Sequence, residues 1–351
     1  MDSPFPTTDS FMYQTIHRQP DDLRRVLGED GWRDADVAAR FISEARRIWI
    51  TGIGTSFHAA LVGGWLLRWI GRDARAVTSF DFATYPDQFP LGPNDAVIIQ
   101  AHTGVKSYSA LALQRAVQAA VPVISIGSET AEHPGSQFIL RTCEREKSAA
   151  YTSSHLCAMA RLAQLAVALG SDDLRKPLMA LPDQVAGIID RKGELEPIAR
   201  DAAARHIYAI GAGPNEATAL EFVIKAREAA LQPCDGLALE QFFHGPIVAV
   251  NSGDFGLVIS TNGPSAQRTA AIATALAGIG CTVWSTGDAN PGVDGALHFD
   301  VPATHELISP LLDVVPIQLF AYYLAETRGT HPDRFRREDP VYADAFGLLT
   351  L

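Results

Sequence analysis

The pattern of apolar and polar positions divides the chain into apolar runs that end on glycine and helices that follow them. Residues 46–56, RRIWITGIGTS, form a β-branched run that breaks on Gly52 and Gly54 and continues into the apolar stretch SFHAALVGGWLLRWIG. An unbroken apolar run of this length reads as a strand buried on both faces, as in a parallel sheet. Residues 95–104, DAVIIQAHTG, repeat the pattern and lead to a helix around residues 111–120. Residues 122–129 and 137–143 are further strands, and an apolar helix follows the polar turn EKSAAYTSS. Ahead of all of these, residues 12–27 show helical spacing and residues 38–47 read as a short helix. Strands alternating with helices predict parallel βαβ units and a doubly wound α/β sheet.

After a charged helical connection over residues 172–204, the pattern restarts with RHIYAIGAG at 205–213 and a helix over 214–231. Gly52 and Gly211, Asp95 and Asp254, Pro122 and Cys281, and Phe138 and Leu297 are all 159 residues apart. Four strand positions in one ungapped register predict two copies of one α/β unit. The expected division is a first unit with leading helices over 1–190, a second over 191–330, and a tail over 331–351.

Composition changes this picture little and narrows the partners. With 47% hydrophobic and 20% charged residues in 351, the chain fits a globular protein of two domains. A net charge of -11 argues against nucleic acid, whose phosphate backbone demands clustered Lys and Arg. No basic, apolar leader and no apolar run of about 18 residues is present, so the expectation is a cytoplasmic protein without a membrane partner. Cys143, Cys157, Cys234 and Cys281 form no CxxC pair, so they read as free thiols with no metal site, and no cofactor is implied.

Candidate chemistry lies at the strand ends. A buried strand that breaks on glycine into a helix N-terminus makes an anion site, because free N–H groups and the helix dipole converge there. That reading selects Gly54, Thr55 and Ser56. The loop AHTGVKSYS adds Thr103, Gly104, Ser107 and Ser109, with Lys106 as a cation and His102 as either a loop residue or a ligand contact. The second copy lacks a cation at its loops but carries Lys225 and Glu228 on one helix face, and His244 before Gly245 and Pro246. On a surface the lysine–glutamate pair is an ordinary ion pair contributing roughly 0.2–0.5 kcal/mol. In a site, the carboxylate is a base. The unequal copies predict one site assembled from both halves.

In order and spacing, QPDDL near the start, GIGTSFHA, HTG, ExxAAYT from Glu146 to Thr152, ALEFVIKAREA, HGP and VVPIQLFAYYLAETRGTHPD resemble the sugar isomerase (SIS) domain superfamily. The resemblance is greatest to the isomerase half of glucosamine-6-phosphate synthase and its stand-alone relatives. It implies two tandem flavodoxin-like SIS subdomains, a homodimer, and a hexose 6-phosphate bound in the first subdomain. It places Ser56 and Thr103 on phosphate-binding serines and Glu228 on the glutamate that moves a proton between C1 and C2, with Lys225 one turn before it. His244 falls on the histidine that helps open the sugar ring from the neighbouring subunit. The chain departs from the family at Ala101, Lys106 and Tyr151, where hydroxyl residues are usual. Pro340 replaces a lysine near the sugar, leaving Arg336, Arg337 or His331 for its role. With no glutamine-hydrolysing segment in the sequence, the resemblance implies a phosphosugar isomerase or amino-sugar-phosphate deaminase. A fructosamine-type deglycase and a non-catalytic sugar-phosphate sensor are the alternatives.

Overall fold

The computed structural model of the chain describes residues 9–349. They form two compact units. One comprises Arg18–Lys147, Tyr151–Pro182 and the described part of Arg336–Leu351. The other comprises the described residues up to His17, Ser148–Ala150 and Asp183–Phe335.

Helix α1 (Phe11–Val26) contributes to both units, and α2 (Glu29–Ile42), β1 (Arg47–Gly52), α3 (Thr55–Trp69), β2 (Asp73–Thr78), α4 (Ser79–Thr84), β3 (Asp95–Gln100) and α5 (Ser107–Gln118) follow. Then come β4 (Val123–Gly127), β5 (Phe138–Arg141), α6 (Ser153–Ala168) and α7 (Arg175–Asp190), which again runs from one unit into the other. The strands are parallel in the order β2-β1-β3-β4-β5. This is the flavodoxin-like order, in which ligands bind beyond the carboxyl ends of the strands. All six residues of β3 are buried, as its unbroken apolar run requires. Trp49, Val97 and Ile99 pack on one face against Phe82 and the apolar side of α5, Ala112, Leu113 and Ala116. On α3, Gly63 permits close contact with α6, since a Cβ there would lie 2.9 Å from Leu162.

The second unit holds α8 (Leu195–Ala202), β6 (Ile207–Gly211), α9 (Glu216–Ala230), β7 (Cys234–Ala238), α10 (Leu239–Phe243), β8 (Phe255–Ile259), α11 (Ala266–Ile279), β9 (Thr282–Gly287), β10 (Leu297–Asp300) and α12 (Ser309–Arg328). Its parallel order, β10-β9-β8-β6-β7, is that of the first sheet. The repeat read from the sequence is therefore a repeat of topology. Helix α12 is buried continuously from Ser309 to Ala325 and packs on α8 and α9, which explains an apolar character that runs all round it. The short α13 (Pro340–Gly347) ends the described chain in the first unit. Among the described residues no helix is long and apolar enough to cross a membrane.

Several elements differ from the sequence expectation, among them α2, β2 and β7. The helix expected over 38–47 is α2, which starts at Glu29 and stops at Ile42. Its acidic first turn favours an earlier start, and the β-branched run from Arg47 draws the backbone into the sheet. Strands β2 and β7 were not foreseen because neither DARAVT nor CDGLA is an unbroken apolar run. An edge strand exposes part of its length, so DARAVT keeps a surface pair of Asp73 and Arg75 at 2.8 Å in place of an apolar run.

Candidate functional site

In the first unit the register aligns the carboxyl ends of the strands: Gly52 lies opposite Thr78, Gln100 opposite Ile126, and Gly127 opposite Arg141. The chain leaves the sheet at one level. At that edge a pocket opens between the strand ends and helices α3 and α6. Thr55, Ser56 and Ala59 line it from α3, Gln100, Ala101 and His102 from the end of β3, and Ile126, Gly127 and Thr142 from β4 and the end of β5. Tyr151, Ser154, His155 and Ala158 close the side formed by α6. No lysine or arginine lines the pocket. Its polarity comes from hydroxyls, an amide, two imidazoles and the N-terminal end of α3, a combination that suits an oxyanion held by neutral donors and a helix dipole.

The first loop works because of its glycines. A Cβ on Gly52 would lie 2.5 Å from the carbonyl carbon and oxygen of Ser56, so only glycine lets the first turn of α3 fold back over the strand end. Gly54 then takes a φ of 56° as the N-cap of α3. The second copy repeats the device, since a Cβ on Gly211 would lie 2.0 Å from the carbonyl oxygen of Asn215.

Of the residues selected from sequence, Thr55, Ser56 and His102 line this pocket, while Gly54, Thr103, Gly104, Lys106 and Thr152 do not. Lys106 is exposed at the start of α5. Ser109 is occupied locally: its hydroxyl accepts from the Lys106 backbone N–H at 2.8 Å and donates to the Lys106 carbonyl at 2.7 Å. Thr152 is buried and donates its backbone N–H to the carboxylate of Glu146 at 3.1 Å. Gln100, Thr142, Ser154 and His155 were not selected. The signal for Gln100 was a polar residue closing an otherwise apolar strand.

His102 is held by its neighbours. The Glu146 backbone N–H donates to its Nε2 at 3.2 Å, which leaves the ring proton on Nδ1, and its ring meets Tyr151 edge-on at 5.3 Å. Burial, reinforced by Arg145 and Arg18, lowers its pKa to about 4, so the imidazole is neutral at physiological pH. Glu146 accepts from the N–H of Ser154 at 2.6 Å as well as from Thr152, tying the start of α6 to the pocket wall. His102, Cys143 and Glu146 place potential ligand atoms within 4.8 Å of one another. Their donors are already engaged, however: Nε2 with Glu146, the Glu146 carboxylate with α6, and the Cys143 thiol with Cys157, a contact that together with burial raises its pKa. The cluster is a structural knot.

The other sequence candidates belong to the second unit. On α9, the Lys225 ammonium bonds Glu228 at 2.7 Å and lies 3.6 Å from Glu221. The side chains of Lys225 and Glu221 are fully buried, whereas that of Glu228 is 29% exposed. Glu221, one turn before Lys225, was not selected from sequence. The arrangement is a buried cation gripping a carboxylate that still reaches the surface. His244 stands at the end of α10, exposed, with Nε2 3.5 Å from Glu240. In the tail, Arg336 stacks on Tyr342 and bonds its hydroxyl, while His331 Nδ1 accepts from the Asp333 N–H at 3.2 Å.

Residues 41–168 match the SIS domain family. Over 337 residues the chain is 26% identical to the glutamine–fructose-6-phosphate aminotransferase (isomerizing) of Methanothermobacter thermautotrophicus, covering 93% of this chain and 56% of that protein. The chain thus spans little more than half the length of such curated relatives. In structure it is similar to the C-terminal domain of glucosamine-fructose-6-phosphate aminotransferase from Francisella tularensis, with a TM-score of 0.84 at 16% identity, covering 93% of this chain and 98% of that one. It is also similar to glucosamine-6-phosphate deaminase from Thermotoga maritima, with a TM-score of 0.74 at 20% identity, covering 93% and 97%. Its two five-stranded units share the fold of these proteins.

Proposed function

We propose that the protein is a phosphosugar isomerase or amino-sugar-phosphate deaminase acting on a hexose or hexosamine 6-phosphate, with Glu228 as the proton carrier. The observation that carries this reading is the α9 cluster, in which a fully buried Lys225 orients the one partly exposed carboxylate of the three-residue group. In an open-chain aldose, Glu228 takes the proton from C2 while the electron pair moves through the new C1–C2 double bond to the C1 oxygen. The C1 oxygen gains a proton as the C2 hydroxyl loses one, and Glu228 delivers its proton to C1, leaving a hydroxyl at C1 and a ketone at C2. With an amino group at C2, the same shift leaves an imine that water hydrolyses to ketose and ammonia. Lys225 acts as a positioning residue that fixes the carboxylate through a charge-assisted bond.

Ser56, Thr55 and the start of α3 hold the phosphate in this reading, with His102 as a neutral donor. Thr103, Gly104 and Lys106 lie in the adjoining loop, outside the lining of the pocket. His244 serves in ring opening, within a homodimer, as the resemblance implies. The aromatic wall made by Tyr151 and His102 favours a second reading, a deglycase that cleaves a sugar-phosphate adduct of an amine. Product analysis separates the two: ammonia from glucosamine 6-phosphate, or free amine from a fructosamine 6-phosphate.

The decisive experiment is Glu228→Gln. Turnover of the best hexose or hexosamine 6-phosphate should fall by about 10²-fold or more, the range for loss of a general base, while stabilisation by that ligand persists. Loss of ligand stabilisation with unchanged turnover per bound molecule would refute the assignment.

A further inference from the structure

Gln100 closes β3, is 2% exposed and lines the pocket. Neither its Oε1 nor its Nε2 has a hydrogen-bond partner within the protein, and among the described residues no other side chain leaves two buried polar atoms in that state. The cause is local. Its strand neighbour in the next register position is Ile126, and the helices that face the pocket present Ala59 and Ala158 there. A buried amide with neither end bonded destabilises the free protein, so a leucine of similar shape would suit the fold better if folding were the only demand.

The chemistry of the amide says what it awaits. A carboxamide offers one acceptor and two donor hydrogens. A phosphate dianion offers acceptors only; it would satisfy Nε2 but bring an anion towards the lone pairs of Oε1. A hydroxyl both donates and accepts, and it answers both ends of the amide. The pocket also has the means to separate the two groups, because its hydroxyls on Thr55 and Ser56 sit at the α3 terminus, where the dipole favours the anion.

We propose that Gln100 is a specificity-determining residue whose amide receives a hydroxyl of the polyol chain, distinct from the phosphate contacts. The inference rests on the sugar-phosphate reading of the pocket. It gives the pocket two functions: the α3 terminus holds the anion, and the end of β3 tests for a hydroxyl. A site built to bond a hydroxyl discriminates strongly against analogues that lack it, because its own polar groups are then left unpaired.

The test compares wild type with Gln100→Leu, and with Gln100→Met as a second apolar variant should the first fail to fold. Binding of inorganic phosphate, fructose 6-phosphate, glucosamine 6-phosphate and 2-deoxyglucose 6-phosphate is measured by calorimetry and thermal shift on the full chain. The apolar variants should melt no lower than wild type without ligand, bind inorganic phosphate as wild type does, and lose tenfold or more in affinity for at least one sugar phosphate. Equal losses for phosphate and sugar phosphates, or no loss for any, would overturn the inference. If wild type binds none of the sugar phosphates, the reading of the pocket fails and the inference falls with it.

Discussion

Replacing Lys225 by methionine tests whether the α9 cluster is a buried charge system or a surface ion pair. Methionine keeps the length and apolar stem of lysine and removes only the ammonium. That ammonium lies 3.6 Å from Glu221, whose side chain has no solvent exposure, and 2.7 Å from Glu228, which is 29% exposed. Glu228 can turn to water. Glu221 cannot, so the variant takes a cation away from beside a buried carboxylate, a defect of about 3–5 kcal/mol. Against a whole-protein stability of about 5–15 kcal/mol, that is a large fraction. The ordinary helical pair would cost roughly 0.2–0.5 kcal/mol, an order of magnitude less. Urea unfolding followed by circular dichroism reads the difference, with hydrogen exchange on β6 and α9 locating it in the second unit. Adding Glu221→Gln to Lys225→Met removes the stranded charge and should restore about 2 kcal/mol or more, because charges within one network are not additive. A loss below about 1 kcal/mol for Lys225→Met, or a double variant no more stable than the single, would refute the reasoning.

Two further outcomes follow from the pocket. His102 has a pKa of about 4 when folded and an ordinary value of 6.5, so between those values the unfolded chain binds the extra proton. Stability is therefore full above pH 6.5 and falls as pH drops towards 4, by about 3 kcal/mol from this group. His102→Gln should flatten that part of the pH profile, and an unchanged slope in acid unfolding would show that other groups set it. Gly52→Ala brings a Cβ within 2.5 Å of the Ser56 backbone and should cost about 1–3 kcal/mol while abolishing stabilisation by inorganic phosphate. Intact phosphate stabilisation in this variant would separate the loop from the anion site.

How far the sequence reached can be judged at particular residues. The strands on either side of Gly52 and Gly211 were legible because a central parallel strand must be apolar throughout and must end on glycine where a helix turns back across it. Strands β2 and β7 were not, since their mixed polar and apolar residues, DARAVT and CDGLA, give no apolar run to read. Ser56 was legible as the hydroxyl after a glycine turn. Lys106 and Ser109 fitted the same local logic, yet one projects to solvent and the other caps its own helix turn, and both fates depend on side-chain direction that spacing does not encode.

By itself, the sequence determined a duplicated α/β unit with a 159-residue period, parallel sheets, glycine-gated loops, and Lys225 and Glu228 on one helix face. These are consequences of short-range geometry: strand pleat, helix pitch and the steric demand of a tight turn. Only the tertiary structure decided the electrostatics. Whether Lys225 meets water or Glu221, whether His102 is charged, and whether the Gln100 amide finds a partner all depend on which elements pack around each group. Burial can change the energy of a polar atom by several kcal/mol without altering a single residue.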